Sequence, residues 1–223
     1  MARQLRLSLK KALPLTREAF VEGSSNAQAR AALDAWPDWP GGCLVLTGPE
    51  GVGKTHLACA WANAAGAVIL DREAPNVAGA AGRPALLEDV DRGCADEALF
   101  HLINQAALAG ASLLLTARAA PVAWPCALPD LRSRLNALGV AEIAAPDDAV
   151  LRGVLSNFFR ERNIRPHEDV YPYLLRRMER SIVGAREIVE RLDETEHVEI
   201  RPVSRVLARQ ILETDIENLD LFE

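Results

Sequence analysis

Cysteine, histidine, aromatic residues and long apolar stretches are all scarce in this chain, and each shortage removes a class of protein. The four cysteines (Cys43, Cys59, Cys94, Cys126) stand far apart with no Cys-x-x-Cys pair, so they read as buried thiols, neither a disulfide framework nor metal ligands. His56, His101, His167 and His197 show no metal-ligand spacing, which argues against a zinc site. No apolar run approaches the length of a membrane span. The N-terminus carries Arg3, Arg6, Lys10 and Lys11 without the apolar core of a signal peptide, so the expected location is cytoplasmic with no membrane partner. Positive charge is also in deficit. With 25 Lys+Arg against 31 Asp+Glu the net charge is −6, and no global field favours a phosphate backbone. DNA is therefore expected to be contacted weakly or indirectly at most. What remains is a globular chain, 49% hydrophobic over 223 residues, long enough for one large domain or one and a half.

Against these absences one stretch stands out. Cys43-Leu44-Val45-Leu46-Thr47 is an apolar, β-prone run leading into Gly48-Pro49-Glu50-Gly51-Val52-Gly53-Lys54-Thr55-His56, and an alanine-rich, helix-favouring segment follows to about Ala65. The spacing Gly48, Gly53, Lys54, Thr55 is the phosphate-binding P-loop pattern, in which glycines let backbone N–H groups curl round an anion. Lys54 is placed to reach the β- and γ-phosphates. The Thr55 hydroxyl is placed for Mg²⁺, and the helix beginning there points its positive end at the phosphates.

The rest of the chain falls into order around that unit. Gln4-Leu5-Arg6-Leu7-Ser8-Leu9 puts Leu5, Leu7 and Leu9 on one side if extended, which suits either an edge strand or a short peptide ligand for a partner groove. Residues 20–26 form a turn before a helix from Ala27 to about Ala35, broken by Trp36-Pro37-Asp38-Trp39-Pro40-Gly41-Gly42. Ala67 to Leu70 reads as a second strand. Pro84 to Asp91 is a strand ending in acids, the place where a P-loop protein carries its Walker B carboxylates, Glu88 and Asp89 here. A plain acidic loop after a buried strand is the blander reading. Glu97 to Ala109 is an amphipathic helix, Ser112 to Arg118 a fourth strand, and Val140 to Ala144 a fifth. Strands alternating with helices at this pace predict a parallel α/β sheet. Beyond Pro146 only helices are expected: 147–161, 168–179, 184–194 and 203–212. A five-stranded P-loop sheet followed by a helical lid is the architecture of an AAA+ module.

These pieces together resemble the AAA+ P-loop family in its DnaA branch, and within it the short Hda-type paralogues that act as regulatory inactivators of the initiator. Phe20-Val21-x-Gly23-x-x-Asn26 matches the family's segment near the adenine. Gly53-Lys54-Thr55-His56-Leu57 matches its form of the P-loop, where the histidine is characteristic. Thr116 to Pro121 falls at the sensor I turn, Leu131-Arg132-Ser133-Arg134-Leu135 at the arginine-finger segment with the finger at Arg134, and Val183 to Ile188 at the sensor II helix with Arg186 aimed at the phosphates. The resemblance implies an ADP or ATP site with Mg²⁺. Its nucleotide contacts are Phe20, Val21, Gly48, Pro49, Gly51, Val52, Gly53, Lys54, Thr55, His56 and Arg186, its metal contacts Thr55 and Glu88, and its catalytic residues Asp89 and Arg134. Gln4, Leu5, Leu7 and Leu9 are similar to the peptide by which such paralogues bind the DNA polymerase III sliding clamp (its β subunit).

The organisation implied is an N-terminal segment over 1–19, an α/β nucleotide-binding subdomain over 20–146, a helical lid over 147–217 and an acidic tail over 218–223. No helix-turn-helix domain is expected after the lid. The tail, Asn218 to Phe222, is somewhat like a second clamp peptide but has asparagine for glutamine, so plain packing is the simpler expectation. Two departures bear on chemistry. Glu88 stands where the family usually has aspartate, and the sensor I polar position falls on Ala117 or Arg118. Both weaken hydrolysis in cis more than binding, because a longer carboxylate displaces the metal-water geometry and a cation does not orient water as Ser, Asn or Asp does. The function implied is a clamp-tethered adaptor that stimulates ATP hydrolysis on the initiator DnaA and so limits re-initiation of chromosome replication. It has little ATPase activity of its own, and a homo-oligomer is allowed. The alternative is a helicase-loader-like ATPase acting on a replicative helicase or single-stranded DNA.

Overall fold

A computed structural model describes residues 15–108, 111–195, 203–206 and 208–210. The strand β1 (Cys43–Thr47) has all five residues buried, so its unbroken apolar run belongs to an interior strand covered on both faces. Its neighbours are β4 (Ser112–Ala117) and β5 (Gly139–Glu142). With β2 (Val68–Leu70) and β3 (Pro84–Leu87) the sheet runs β2-β3-β4-β1-β5, every pairing parallel. Val45 lies between Leu115 and Val140, and β1 and β4 end level at Thr47 and Ala117, while β3 ends at Leu87, opposite Leu115 and so short of them.

Alternation along each strand divides the core in two. Cys43, Val45, Leu87, Leu113 and Leu115 pack under α3 (Asp96–Ala106) and α4 (Pro129–Asn136). Leu44, Leu46, Leu86 and Leu114 pack against α1 (Ala27–Asp34) and α2 (Lys54–Ala65). A separate core joins α5 (Asp148–Glu161), α6 (Val170–Leu175) and α7 (Ile182–Thr195). In α5 the buried residues recur as Leu151, Val154, Leu155, Phe158 and Phe159, and in α7 as Ala185, Ile188, Val189 and Leu192.

Several boundaries differ from expectation for local reasons. The helix expected to reach Ala109 ends at Ala106. The fifth strand stops at Glu142 instead of Ala144: Ile143 N–H still bonds to Thr47 O, but Ala144 N–H turns away to Ser25 O at 2.9 Å. β2 begins one residue late because Ala67 N–H is taken by Ala62 O in the cap of α2, where Gly66 turns left-handed. The helix expected over 168–179 shortens to Val170–Leu175, since Arg177 and Met178 both donate to Leu174 O and close the turn. α7 starts two residues early, its first turn capped by the Ser181 hydroxyl, which accepts from Gly184 N–H at 2.9 Å. Of the helix expected over 203–212, residues 205–206 and 208–210 are described and helical. The segments 4–9 and 218–222 lie outside the described residues.

All four cysteines are free. Burial pushes the Cys43 thiol up to about 12, and the other three are half-buried. Among the described residues no group of three or more His, Cys, Asp or Glu is placed to hold a metal ion by itself, and no helix is long and apolar enough to cross a membrane.

Candidate nucleotide site

The loop between β1 and α2 has its glycines where only glycine fits. Gly48 sits at φ 145°, and a Cβ there would run into the carbonyl of Ile143. Gly53, at φ 99°, caps α2 without any side-chain hydrogen bond, so the first N–H groups of a twelve-residue helix face the loop with no side-chain cap. A Cβ on Gly53 would lie 3.2 Å from Phe20. Lys54 is 8% exposed, and its Nζ donates to Gly48 O and Pro49 O, both at 2.8 Å. Burial lowers its pKa, opposed by the charges of Asp89, Asp91 and Glu50. The lysine is thus folded over the loop at the level where phosphates would lie.

The acids arrive from β3. Glu88 stands beside Thr55, whose hydroxyl opposes the rise in its pKa, and its Oε1 is buried with no partner. Burial holds its carboxyl above the usual carboxylate range. An orphaned carboxylate oxygen beside a threonine hydroxyl is a pair of hard oxygen donors, which is what the protein contributes to Mg²⁺ when phosphates and water supply the other ligands. Asp89 is in the left-handed region, φ 53°, and its N–H donates to Thr116 Oγ1 at 2.9 Å. Its carboxylate meets Arg92 at 3.3 Å. The sensor I expectation fell on Ala117 or Arg118. Ala117 is fully buried in the core, and Arg118 turns out to the rim, where it pairs with Glu50 at 2.7 Å. The polar group at the end of β4 that touches the acidic strand is Thr116.

The segment ahead of α1 lies along the opposite flank. Phe20 is buried, edge-on to His56 at 5.3 Å, and His56 Nε2 is 2.8 Å from Thr16 O, so this histidine holds the entering chain onto α2. Asn26, 2% exposed, accepts from Gly23 N–H and donates to Val21 O, and Ser24 donates to Asp147, the N-cap of α5. Val21 packs against the α5–α7 core, next to Gly153. From the other side α7 touches the loop itself: Ile182 N–H donates to Gly51 O at 3.2 Å, and Val183 closes over Gly51. Arg186, one turn further on, lies 4.5 Å over the Phe158 ring. Val52 is buried beneath the loop.

The two arginines of α4 have different fates. Arg132 donates to the carbonyls of Pro121 (3.1 Å), Val122 (3.3 Å) and Trp124, and so ties down the turn after β4. Arg134, two residues on and so about 200° round the helix, is exposed and has no hydrogen bond or ion pair with any described residue.

A parallel sheet in this order, a P-loop at its C-terminal edge and a helical unit closing on that loop define a P-loop α/β module of the AAA+ fold. Residues 13–75 match the family model for the bacterial DnaA ATPase domain. Domain III of the Thermotoga maritima replication initiation protein DnaA is similar over 90% of this chain and 96% of that one, at 18% identity and a TM-score of 0.74. AMPPCP-bound DnaA from Aquifex aeolicus is similar at 21% identity and TM-score 0.62, over 78% of this chain and 63% of that one. The Thermotoga maritima RuvB Holliday junction branch migration motor matches at 15% identity and TM-score 0.67, over 90% of this chain and 72% of that one. No curated protein sequence matches the chain. The fold is that of the DnaA and RuvB modules.

Proposed function

We propose that this chain is a nucleotide-holding adaptor that reaches a DnaA-type initiator through the sliding clamp and supplies Arg134 to the initiator's bound ATP. The observation that favours a role in trans is the contrast on α4: Arg132 is consumed by three carbonyls, whereas Arg134 is exposed and unpartnered among the described residues. A guanidinium stays charged and can grip two γ-phosphate oxygens as charge develops.

In its own site, Lys54, the loop N–H groups and the start of α2 bind phosphate. Phe20 and Val21 flank the base, held in place by His56 and Asn26. Thr55 and Glu88 would meet Mg²⁺, which would neutralise charge across the phosphates. Arg186 would have to leave the Phe158 ring to reach the phosphates from α7. Water activation is the weak step, because Asp89 is paired to Arg92 and the Thr116 hydroxyl is already engaged by Asp89 N–H. Turnover by the isolated protein is therefore expected well below about 1 s⁻¹, the low end of ordinary enzymes.

Gln4, Leu5, Leu7 and Leu9 form the clamp ligand in this reading. A single-turnover reaction with the full chain, ATP-loaded initiator and DNA-loaded clamp tests the assignment. Initiator-bound ATP should convert to ADP, and deletion of residues 1–10 should remove the effect. Conversion that is indifferent to the clamp and to residues 1–10 would refute the tethered mechanism. If the full chain accelerates nothing on the initiator, the adaptor reading falls.

A further inference from the structure

The arginines of the helical unit divide into those met by acids and those that are not. Arg152 pairs with Glu168, Arg180 with Asp148, and Arg162 with Glu190 and Asp193. Arg165, Arg176, Arg177 and Arg205 are exposed and make no ion pair with any described residue.

Two of these meet at one ring. The Arg177 guanidinium lies 4.2 Å from the centre of the Tyr173 ring, and that of Arg205 lies 5.4 Å from it. Tyr173 is 2% exposed, so a buried ring holds both cations at the surface of the same core. Arg176 caps the end of α6 beside Arg177. Arg165 lies on the stretch bonded to Val203, whose N–H donates to Arg165 O at 3.2 Å and whose carbonyl accepts from His167 N–H at 3.0 Å. Packing α6 and residues 165–167 against residues 203–206 therefore gathers like charges on one side of the lid, an arrangement that is unfavourable until an anion lies across it.

The chain carries such an anion next to the patch. Residues 211–223 lie outside the described residues and follow directly on the helical residues 208–210, about a turn past Arg205. They contain Glu213, Asp215, Glu217, Asp220 and Glu223, no lysine, arginine or histidine, and the apolar Ile216, Leu219 and Phe222 among the acids. We propose that this acidic segment folds back onto Arg165, Arg176, Arg177 and Arg205 and closes the cationic face of the lid to other anions. Ten residues of extended chain reach about 30 Å, and a segment joined to its site by so short a connection acts at an effective concentration of about millimolar order. Each exposed ion pair is weak alone. Several carboxylates on one tether act together, and each can take two parallel N–H donors from one guanidinium. The exposed Val206 beside Arg205 gives the apolar residues of the segment a contact on the same face.

Guanidinium accessibility tests this directly. The full chain is treated with phenylglyoxal and adduct formation at each arginine is followed by mass spectrometry, with the exposed Arg134 of α4 as reference. The comparison is a full-length variant carrying Glu213→Gln, Asp215→Asn, Glu217→Gln and Asp220→Asn. At low salt the four lid arginines of the unaltered chain should react at least about threefold more slowly, as an effective concentration about twice the dissociation constant requires. The difference should vanish in about 1 M salt, where the screening length falls to about 3 Å, and Arg134 should react alike throughout. The contact is read from its other side with the double variant Arg165→Glu, Arg176→Glu. These two exposed changes should speed cleavage by a glutamate-specific protease at Glu213 and Glu217. Equal labelling of the four arginines in the unaltered and neutralised chains at low salt overturns the proposal. So does protection that grows with protein concentration, which assigns the face to a second copy.

Discussion

Replacing Asn26 by alanine probes the part of the site that glycine and lysine patterns do not reveal. The side chain is 2% exposed and makes three hydrogen bonds: from Gly23 N–H at 3.1 Å, from Arg30 Nε at 3.0 Å, and to Val21 O at 3.0 Å. Arg30 keeps its ion pair with Glu22 at 2.6 Å, so its loss is small. Gly23 N–H and Val21 O lose their partners in a part-buried place, at about 1–2 kcal/mol each. The expected destabilisation is therefore about 2–4 kcal/mol, a large share of the ~5–15 kcal/mol typical of a folded domain. In urea, with a slope of about 2 kcal/mol/M, the midpoint should fall by about 1–2 M at unchanged slope. Nucleotide affinity should fall as well, because Phe20 and Val21 lose their anchor. Asn26→Asp keeps the acceptor and loses the donor, so it should cost about half as much. A loss below about 0.5 kcal/mol for Asn26→Ala would refute the view that this residue fixes the segment.

Arg132→Ala should destabilise the fold by about 1–3 kcal/mol through three deprived carbonyls, while Arg134→Ala should stay within about 0.5 kcal/mol, both read from urea midpoints. Glu88 has its carboxyl raised by burial, so the folded state holds its proton more tightly than the unfolded chain does. That contribution is present below the ordinary carboxylate pKa and is lost as pH rises through the folded value. Glu88→Gln should therefore be more stable than the unaltered protein at neutral pH, with the difference vanishing in acid, while Mg²⁺-dependent nucleotide binding weakens. Equal stability at all pH values would contradict the burial of this carboxyl. A phosphate-release assay on the isolated protein should show turnover well below about 1 s⁻¹, and a faster rate would overturn the weak-hydrolysis reading.

The P-loop unit was legible because its chemistry is fixed by spacing: Gly48, Gly53, Lys54 and Thr55 follow one another along the chain, and the flanking strand and helix declare themselves by composition. The parallel sheet followed from alternation of strand and helix, but its order did not, since order depends on which face each crossover takes. Features that join separate strand ends were hidden for the same reason. Position in the turn points to Ala117 and Arg118, whereas the alternation of β4 puts the Ala117 side chain on the other face and offers the Thr116 hydroxyl to Asp89 N–H. Glu50, Arg92 and Arg118 meet only after the sheet is assembled. The motif marks His56 by its place beside the phosphate loop, but its ring turns to Phe20 and Thr16, a contact that depends on the path of the entering chain. The distinction between Arg132 and Arg134 likewise required the turn after β4.

The proposed action in trans depends on Arg134, and single-turnover hydrolysis of initiator-bound ATP in the presence of DNA-loaded clamp tests it most directly. The unaltered protein should accelerate hydrolysis. Arginine fingers in phosphoryl transfer are worth about 10³–10⁵ in rate, so Arg134→Ala should leave the ATP essentially intact while fold and nucleotide binding persist. Arg134→Lys should restore little, because a point charge does not reproduce the fork. If Arg134→Ala still converts initiator-bound ATP to ADP at a near-normal rate, the proposal of a finger acting in trans is contradicted.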